Sequence, residues 1–301
     1  MPAIALTAAS IDAHTVVPVV TGLGLTEAPW YDEFTESVCF SDVTGGGVWR
    51  YSPNTGRLEQ IVGRRRGIGG LVGNTDGQLV VTGKSVMLAR PGDGLGDTVC
   101  RAEDAGPHVI GFNDLCADEA GRVYVGALTF LPLTGRPSPG LICVIEPGGD
   151  VRRVADDVVL PNGMAFDWTA SLLYVCDSEQ GSLIAYRQQS DGRLTVERRL
   201  RCAPGGRPDG VAVAADGSLW VARAEAGVID VLDESGEVQD RWSFPGGAVT
   251  NLCFGGKCND TLFLTGGGIP PDDRPGGLWA ARAPVAGSAV RLGQVGQLLG
   301  R

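Results

Sequence analysis

Residues 161–178 read PNGMAFDWTASLLYVCDS, a short apolar run, a polar turn and a second apolar run. The turn, DWTAS (167–171), contains residues that suit a reversal of the chain, and the second run is rich in strand-forming residues. Neither run is long enough for an average helix. The stretch therefore predicts two antiparallel strands joined by a tight turn.

The same pattern recurs along the chain. A β-rich run begins at six positions, spaced by 41, 44, 49, 47 and 43 residues: Val38, Leu79, Val123, Leu172, Leu219 and Leu262. A second, more polar strand follows in most copies, as in SLIAYR (182–187). A repeat near 45 residues with four short strands per unit is typical of a propeller. The chain is therefore predicted to be all-β, a six-bladed β-propeller with four-stranded antiparallel blades.

The two ends of the chain close the ring in this prediction. The runs TVVPVV (15–20) and AVRLGQVGQLL (289–299) lie outside the regular copies. We expect these N- and C-terminal strands to complete one blade together. Because no linker or change in composition divides the repeats, residues 1–301 are predicted to form a single domain, with residues 1–14 as a poorly ordered N-terminal segment.

Composition excludes several classes of protein. The 46 Gly and 18 Pro among 301 residues argue against helical bundles and solenoids, since both residues weaken helix interiors. A net charge of −10 argues against nucleic acid and anionic membranes as partners. The chain begins without a basic signal-peptide region, and no apolar run is long enough to span a membrane. Eight Cys without a CxxC pair predict reduced core residues in a cytoplasmic protein.

Polar residues recur in phase with the repeat. Ten or eleven residues before each recurring strand stand Glu27, Gly69, Asn113, Asn162, Asp209 and Asn251. Equivalent positions of a propeller are related by rotation about its axis, so these side chains are predicted to converge on one mouth of the central channel. Five of the six are carboxylates or amides. Asn162 and Asp209 precede glycine, as in ordinary turn dipeptides, but a turn does not explain why Glu27, Asn113 and Asn251 stand in the same phase.

Carboxylates and neutral oxygens around one point suit a hard divalent cation. Without a cation, Glu27 and Asp209 would repel each other. Ca²⁺ is the first choice for one such ion, with Mg²⁺, Mn²⁺ and Zn²⁺ as alternatives. His14 and His108 are the only histidines, which argues against a His-rich zinc site and a Ser-His-Asp triad. His108 is either a pocket-edge residue or a structural one, and the basic run Arg64–Arg66 is either a solvated loop or an anion contact beside the pocket.

Several motifs, in this order and phase, resemble those of the gluconolactonase, regucalcin and luciferin-regenerating-enzyme family. They are EAPWYD (27–32), VWRY (48–51), FND (112–114), PNGMAF (161–166), PDGVAV (208–213) and NLCFGG (251–256). The resemblance covers nearly the whole chain and implies a six-bladed propeller with one catalytic divalent cation in its channel. It implies that Glu27, Asn162 and Asp209 bind the metal and that Asn113 contacts the substrate.

Two positions depart from the family pattern. The family's arginine two residues before the substrate-contacting asparagine is Gly111 here, and a family carboxylate falls near Phe130. Neither Gly nor Phe can form charged or bidentate hydrogen bonds to sugar hydroxyls. We therefore expect a substrate less polar than a sugar lactone, with Gly111, Phe130 and His108 beside Asn113 in the substrate pocket.

Three functions are open at this point. The first is metal-dependent hydrolysis of a lactone or related cyclic ester, a small molecule, with Asp209 as general base. The second keeps the metal but replaces hydrolysis with isomerisation, elimination or group transfer in a biosynthetic or catabolic pathway. The third is a calcium-binding regulatory protein without catalytic activity.

Overall fold

The computed structural model describes residues 14–132, 134–269 and 272–296. Its strands, numbered in chain order from β1 (Val17–Leu23), form six four-stranded antiparallel sheets. The first strands of neighbouring sheets contact each other around a closed ring, so the sheets are the blades of a propeller. The predicted six-bladed β-propeller is confirmed.

Each of the first five blades takes four consecutive strands. Blade 1 contains β2 (Thr26–Asp32), β3 (Ser37–Asp42), β4 (Val48–Ser52) and β5 (Arg57–Val62). Blade 2 contains β6 (Leu71–Gly73), β7 (Leu79–Val81), β8 (Ser85–Arg90) and β9 (Gly94–Arg101). Blade 3 contains β10 (Gly111–Ala117), β11 (Val123–Leu128), β12 (Leu141–Ile145) and β13 (Val151–Ala155). Blade 4 contains β14 (Pro161–Asp167), β15 (Leu172–Asp177), β16 (Ser182–Gln188) and β17 (Leu194–Arg201). Blade 5 contains β18 (Pro208–Val213), β19 (Leu219–Arg223), β20 (Val228–Leu232) and β21 (Val238–Ser243).

Blade 6 joins the two ends of the chain. It contains β22 (Ala248–Gly255), β23 (Thr261–Gly267), β24 (Gly276–Arg282) and, as its outer strand, β1. Strand β1 pairs antiparallel with β24, with Val17 opposite Ala280. The N-terminal strand therefore closes the ring against the C-terminal blade, as expected.

The predicted strand at 289–299 is wrong for the residues that the structure describes. Because β1 already occupies the free edge of β24, the segment up to residue 296 does not join blade 6. It crosses instead to blade 2, where Gly293 forms a parallel bridge with Asn74. The Asn74 side chain donates to the Val295 carbonyl and accepts from the Val295 N–H, both at 3.1 Å. Residues 297–299 lie outside the described residues.

The core lies between the faces of neighbouring blades. The recurring runs predicted from the sequence are the second strands, and β3 and β15 are buried along their whole length. Aromatic side chains join one blade to the next, as in the edge-to-face pair of Tyr124 and Phe166. The outer strands are half exposed, which explains why their sequences are more polar.

Helix is scarce, as the sequence predicts: one short helix, α1 (Ala102–Ala105), occurs in the described part of the chain. It is too short to cross a bilayer, so the described residues contain no membrane-spanning helix. The eight cysteines are free thiols, and six of them are buried. Residues 1–13 of the predicted N-terminal segment lie outside the described residues, whereas the ring of His14 packs on Trp242 with centroids 4.6 Å apart.

The first strand of each blade lines the central channel, and its beginning marks what we call the upper end. Near that end the register of five first strands slips by one residue. The slips lie between Glu27 and Trp30, Phe112 and Leu115, Pro161 and Met164, Pro208 and Val211, and Val249 and Asn251. A β-bulge re-aims the side chains next to it. The bulges therefore turn the polar residue before each apolar run towards the channel.

Candidate functional site

A cavity of about 210 Å³ lies at the upper end of the channel. Five of the six positions predicted to converge there line it: Glu27, Gly69, Asn113, Asn162 and Asp209. The sixth prediction is wrong, because Thr250 lines the cavity in place of Asn251. The bulge in β22 spans 249–251, and it turns the side chain before Asn251 towards the cavity.

A chain of hydrogen bonds crosses from blade 3 to blade 5 along the cavity floor. The Asn113 Nδ2 group donates to Asn162 Oδ1 at 2.9 Å and to the Pro161 carbonyl at 3.2 Å. Asn162 Nδ2 donates to Ser178 Oγ at 3.1 Å, and that hydroxyl donates to the Pro208 carbonyl at 2.6 Å. The chain orients both amides: Asn162 keeps its oxygen as an acceptor, and both Nδ2 hydrogens of Asn113 are engaged.

Two carboxylates face each other across the cavity, and a third lies beneath them. Burial raises the pKa of Glu27, and the negative charges of Asp209 and Asp114 raise it further. Burial also raises the pKa of Asp209, reinforced by Asp114, although the charge of Arg207 acts in the opposite direction. Asp209 Oδ1 is buried and has no hydrogen-bond partner among the described residues. Hydrogen bonds from Thr250 to Glu27 and from Asn162 to Asp209 act against these shifts without reversing them. The site therefore concentrates negative charge that its own hydrogen bonds compensate only in part.

Asp114 and Asn251 form a buried polar pair below this floor. Asn251 Nδ2 donates to Asp114 Oδ2 at 2.7 Å. Burial raises the pKa of Asp114 to about 7, although the hydrogen bond from Asn251 lowers it. On the other side of the pair lies a mostly apolar cavity of about 100 Å³, bordered by residues 288–290. The pair thus lies between the polar cavity and an apolar one.

The donor set fits a divalent cation. An uncompensated Asp209 oxygen, the Glu27 carboxylate and the Asn162 amide oxygen line one cavity, and oxygen ligands of this type suit Ca²⁺ or Mg²⁺. No group of three His, Cys, Asp or Glu side chains in the described chain could hold a metal ion. Asn162 is therefore needed to complete the ligand set.

Three predicted substrate residues lie away from the lining of this cavity. Gly111 is buried in β10, and Phe130 is 7% exposed in the loop after β11. His108 is exposed in the turn before β10. Their contact with substrate stays a prediction. In the basic run, Arg64 and Arg66 are exposed, whereas Arg65 donates to Met87 Sδ at 2.7 Å.

The structure adds residues to the cavity that the sequence did not indicate. Its remaining wall is largely apolar, formed by Leu25, Val43, Pro132, Leu160, Ala224 and Ile269. Ser178 and Arg207 also line it. The phase of the repeat could have revealed Arg207, since it stands two residues before Asp209 as Gly111 stands before Asn113. Ser178 carries no such signal, because its role depends on contacts between blades.

Comparisons with known proteins agree with this geometry. The pentonolactonase XacC of Haloferax volcanii is 29% identical over 282 residues, which cover 92% of this chain and 94% of that protein. A solved luciferin-regenerating enzyme matches with a TM-score of 0.80 at 18% identity, covering 93% of this chain and 99% of that one. A regucalcin of Agrobacterium tumefaciens, described as a calcium-binding protein, matches with a TM-score of 0.76 at 18% identity, covering 94% and 97%. At these identities the two solved structures show the fold alone. Residues 25–267 match the model of the SMP-30/Gluconolactonase/LRE-like region, and the chain belongs to that family.

Proposed function

We propose that the protein hydrolyses a small lactone, or a related cyclic ester, in the upper cavity and that it depends on one divalent cation. The observation that carries this proposal is the buried Asp209 Oδ1, which lacks a partner among the described residues and shares a cavity with Glu27 and Asn162. The reaction class is supported by kinship with a pentonolactonase.

Glu27, Asn162 and Asp209 would hold the cation, with Ca²⁺ as the first candidate and Mg²⁺, Mn²⁺ and Zn²⁺ as alternatives. When bound, the cation would supply Lewis-acid polarisation of the ester carbonyl and a lower pKa for a nearby water. Binding would also remove the repulsion between the two carboxylates.

Asp209 is the candidate general base. One of its oxygens can accept the proton of an attacking water while the water oxygen adds to the ester carbonyl carbon. The ring C–O bond then breaks, and the proton held by Asp209 passes to the departing ring oxygen. The products are a carboxylate and a hydroxyl on one open chain, with the carboxylate proton released to solvent.

The substrate is proposed to be less polar than a sugar lactone. Both Nδ2 hydrogens of Asn113 are used within the floor, so this amide can contact a substrate only through Oδ1, as an acceptor. Gly69 leaves room beside it, since an added Cβ there would lie 2.6 Å from that oxygen. Above the floor, the apolar wall of Leu25, Val43 and Ile269 suits a hydrocarbon surface rather than a ring of hydroxyls.

The test uses purified protein treated with a chelator and then supplied with Ca²⁺, Mg²⁺, Mn²⁺ or Zn²⁺. Acid release is followed for alkyl-substituted and hydroxylated γ- and δ-lactones in oxygen-18 water. We expect activity only with added cation, one oxygen-18 atom in the product carboxylate, and greater kcat/KM for alkyl-substituted rings with at most one hydroxyl than for polyhydroxylated rings. Turnover without the label in the acid, or cation binding without turnover of any lactone, would reject hydrolysis.

A further inference from the structure

Arg207 is the one cationic side chain that lines the upper cavity within the described chain. It stands two residues before Asp209 and is about one-third exposed, with 34% of the side chain accessible. A guanidinium at this place can donate hydrogen bonds directly to a bound molecule. The mechanism above does not use it.

Glu225 holds the inner edge of this guanidinium. Arg207 Nε donates to Glu225 Oε1 at 2.7 Å, and the Arg207 backbone N–H donates to Oε2 at 2.9 Å. Nη2 lies 2.5 Å from Oε1. Nη1 donates to no group among the described residues, so it remains available to a ligand. The pair as a whole is neutral, which disfavours a second anion and suits a neutral oxygen substituent.

The loop before Arg207 is held by a buried ion pair. Arg223 and Asp230 are 2% and 1% exposed, and Arg223 Nη1 donates to Asp230 Oδ2 at 2.6 Å. Arg223 also donates to the carbonyls of Ala203 and Gly206. Since both carbonyls belong to the loop that leads into Arg207, Arg223 anchors this loop and so positions the guanidinium before any ligand arrives.

Blade 5 carries the pair of Arg207 and Glu225, whereas the equivalent positions of blade 3 carry no such pair. Pro208 pairs with Arg223 just as Phe112 pairs with Ala127, so Glu225 corresponds to Thr129, the neighbour of Phe130. Arg207 corresponds in the same way to Gly111. Because two of six blades separate the positions, they differ by about 120° around the channel axis.

Blade 3 could not hold a side chain at this position without moving. An added Cβ on Gly111 would lie 2.9 Å from the Gly83 carbonyl oxygen, which accepts a 2.7 Å hydrogen bond from the Phe112 N–H. The loop between β7 and β8 therefore fills the space that a blade 3 side chain would need. The polar contact that a side chain at position 111 would make to a ligand must therefore come from another blade.

We infer that Arg207, oriented by Glu225, is the specificity-determining residue of the site and binds a hydroxyl substituent of the substrate on its blade 5 side. This inference rests on the proposed function, which identifies the substrate as a cyclic ester. A hydroxyl oxygen accepts from Nη1, the donor that Glu225 leaves free, so the pair offers the ligand a strong donor without a net positive charge. The substrate class is thus a cyclic ester with an apolar face and a hydroxyl at one edge.

The test measures the binding of two lactams, a δ-lactam with hydroxyl substituents and unsubstituted δ-valerolactam. Lactams are cyclic amides and not esters, so we expect the protein to bind them without hydrolysis. Calorimetry on the wild type and on Arg207→Met is combined with kcat/KM for the corresponding lactones. Loss of one hydrogen bond to a charged donor should weaken the hydroxylated lactam about 10–100-fold and the unsubstituted lactam less than about 3-fold. The Arg207→Lys variant should recover part of the difference.

The matched control is Arg274→Met, which removes another exposed, carboxylate-paired arginine, bonded to Asp272 and absent from the cavity lining. It should leave the ratio of the two lactam affinities unchanged. Equal losses for both lactams in Arg207→Met, or an unchanged ratio, would overturn the inference. So would tighter Arg207-dependent binding of a carboxylated lactam than of the hydroxylated one. A wild type that opens no lactone yet shows the Arg207-dependent ratio would reject only the proposed hydrolysis.

Discussion

At the residue scale, Asp209 is the residue to which we assign both the general-base role and a ligand role. Burial and the charge of Asp114 raise its pKa, so in the metal-free protein its charged form is costly. Asp209→Asn should lower kcat about 10²–10⁴-fold, the usual range for loss of a general base. It should also weaken Ca²⁺ binding, because a carboxylate ligand becomes a neutral amide. Steady-state kinetics and calorimetry measure the two effects.

The control for that substitution is Asp97→Asn, an exposed aspartate on the outer strand β9. It makes the same change of side chain far from the cavity and should leave both quantities unchanged. An Asp209→Asn variant with full kcat would show that another group takes the proton.

Asp114 predicts a pH dependence of stability. Its pKa of about 7 in the folded protein lies above the ordinary value of 3.8, so the folded protein retains a proton that the unfolded chain releases. Protonation of Asp114 therefore favours the folded state at acid pH, and its contribution to the free energy of unfolding falls as pH rises from about 4 to 7. Asp114→Asn should reduce the fall in stability, to which the raised pKa values of Glu27 and Asp209 also contribute, and raise the Tm at pH 8 by roughly 2–5 °C with little change at pH 4.

The measurement is thermal unfolding at pH 4–8 in a chelator, so that no cation compensates the carboxylates. Asn at this position keeps an oxygen that accepts from Asn251, which limits the structural change. An equal Tm difference at every pH would show that Asp114 acts through packing and not through its charge.

At the element scale, the bulges depend on close approach of neighbouring first strands. An added Cβ on Gly163 would lie 2.5 Å from the Asp209 carbonyl oxygen and 2.6 Å from the Gly210 Cα. Gly163→Ala should therefore push β14 and β18 apart. We expect a loss of about 1–3 kcal/mol in the free energy of unfolding and weaker Ca²⁺ binding. Denaturant titration and calorimetry test both.

Gly148→Ala is the matched control for this close approach. Gly148 lies in the hairpin between β12 and β13, with no atom within 4 Å of an added Cβ. This variant should unfold within about 0.5 kcal/mol of the wild type. A destabilised Gly148→Ala and an unchanged Gly163→Ala would contradict the packing argument.

At the scale of the whole molecule, β1 closes the ring. It covers the edge of β24 and buries Val19 and Val20, which are 2% and 0% exposed. Deleting residues 1–23 would expose that edge and lose about 3–6 kcal/mol of apolar burial. We expect the Tm to fall by roughly 10 °C and the protein to aggregate more readily.

A synthetic peptide of residues 14–24 provides the control, because it can restore the missing strand without the covalent link. Added in excess, it should raise the Tm of the truncated protein in a concentration-dependent way. A truncated protein with an unchanged Tm would show that the propeller does not need this strand.

Much of the fold and part of the site were readable from the sequence. The second strands are buried on both faces, so their apolar runs stand out at Val38, Leu172 and Leu262. The phase of polar residues placed Glu27, Asn162 and Asp209 with the other repeat positions at one mouth of the channel, because rotation in a propeller brings equivalent positions together. The resemblance to the family then singled out these three as the candidate ligands. The sequence could not show whether Thr250 or Asn251 lines the upper cavity, since the bulge in β22 shifts by one position the residue that faces the cavity.

The sequence by itself determined the period of the repeat, the number of blades and most of the positions that meet at the upper cavity, because these depend on local patterns of burial and phase. Only the tertiary structure decided how the ring closes, how Asn113 and Ser178 orient the Asn162 amide, and that Glu225 pairs with the Arg207 guanidinium beside the cavity. The physical reason is that these outcomes depend on distances between blades. Those distances arise from packing around the axis and not from neighbours along the chain.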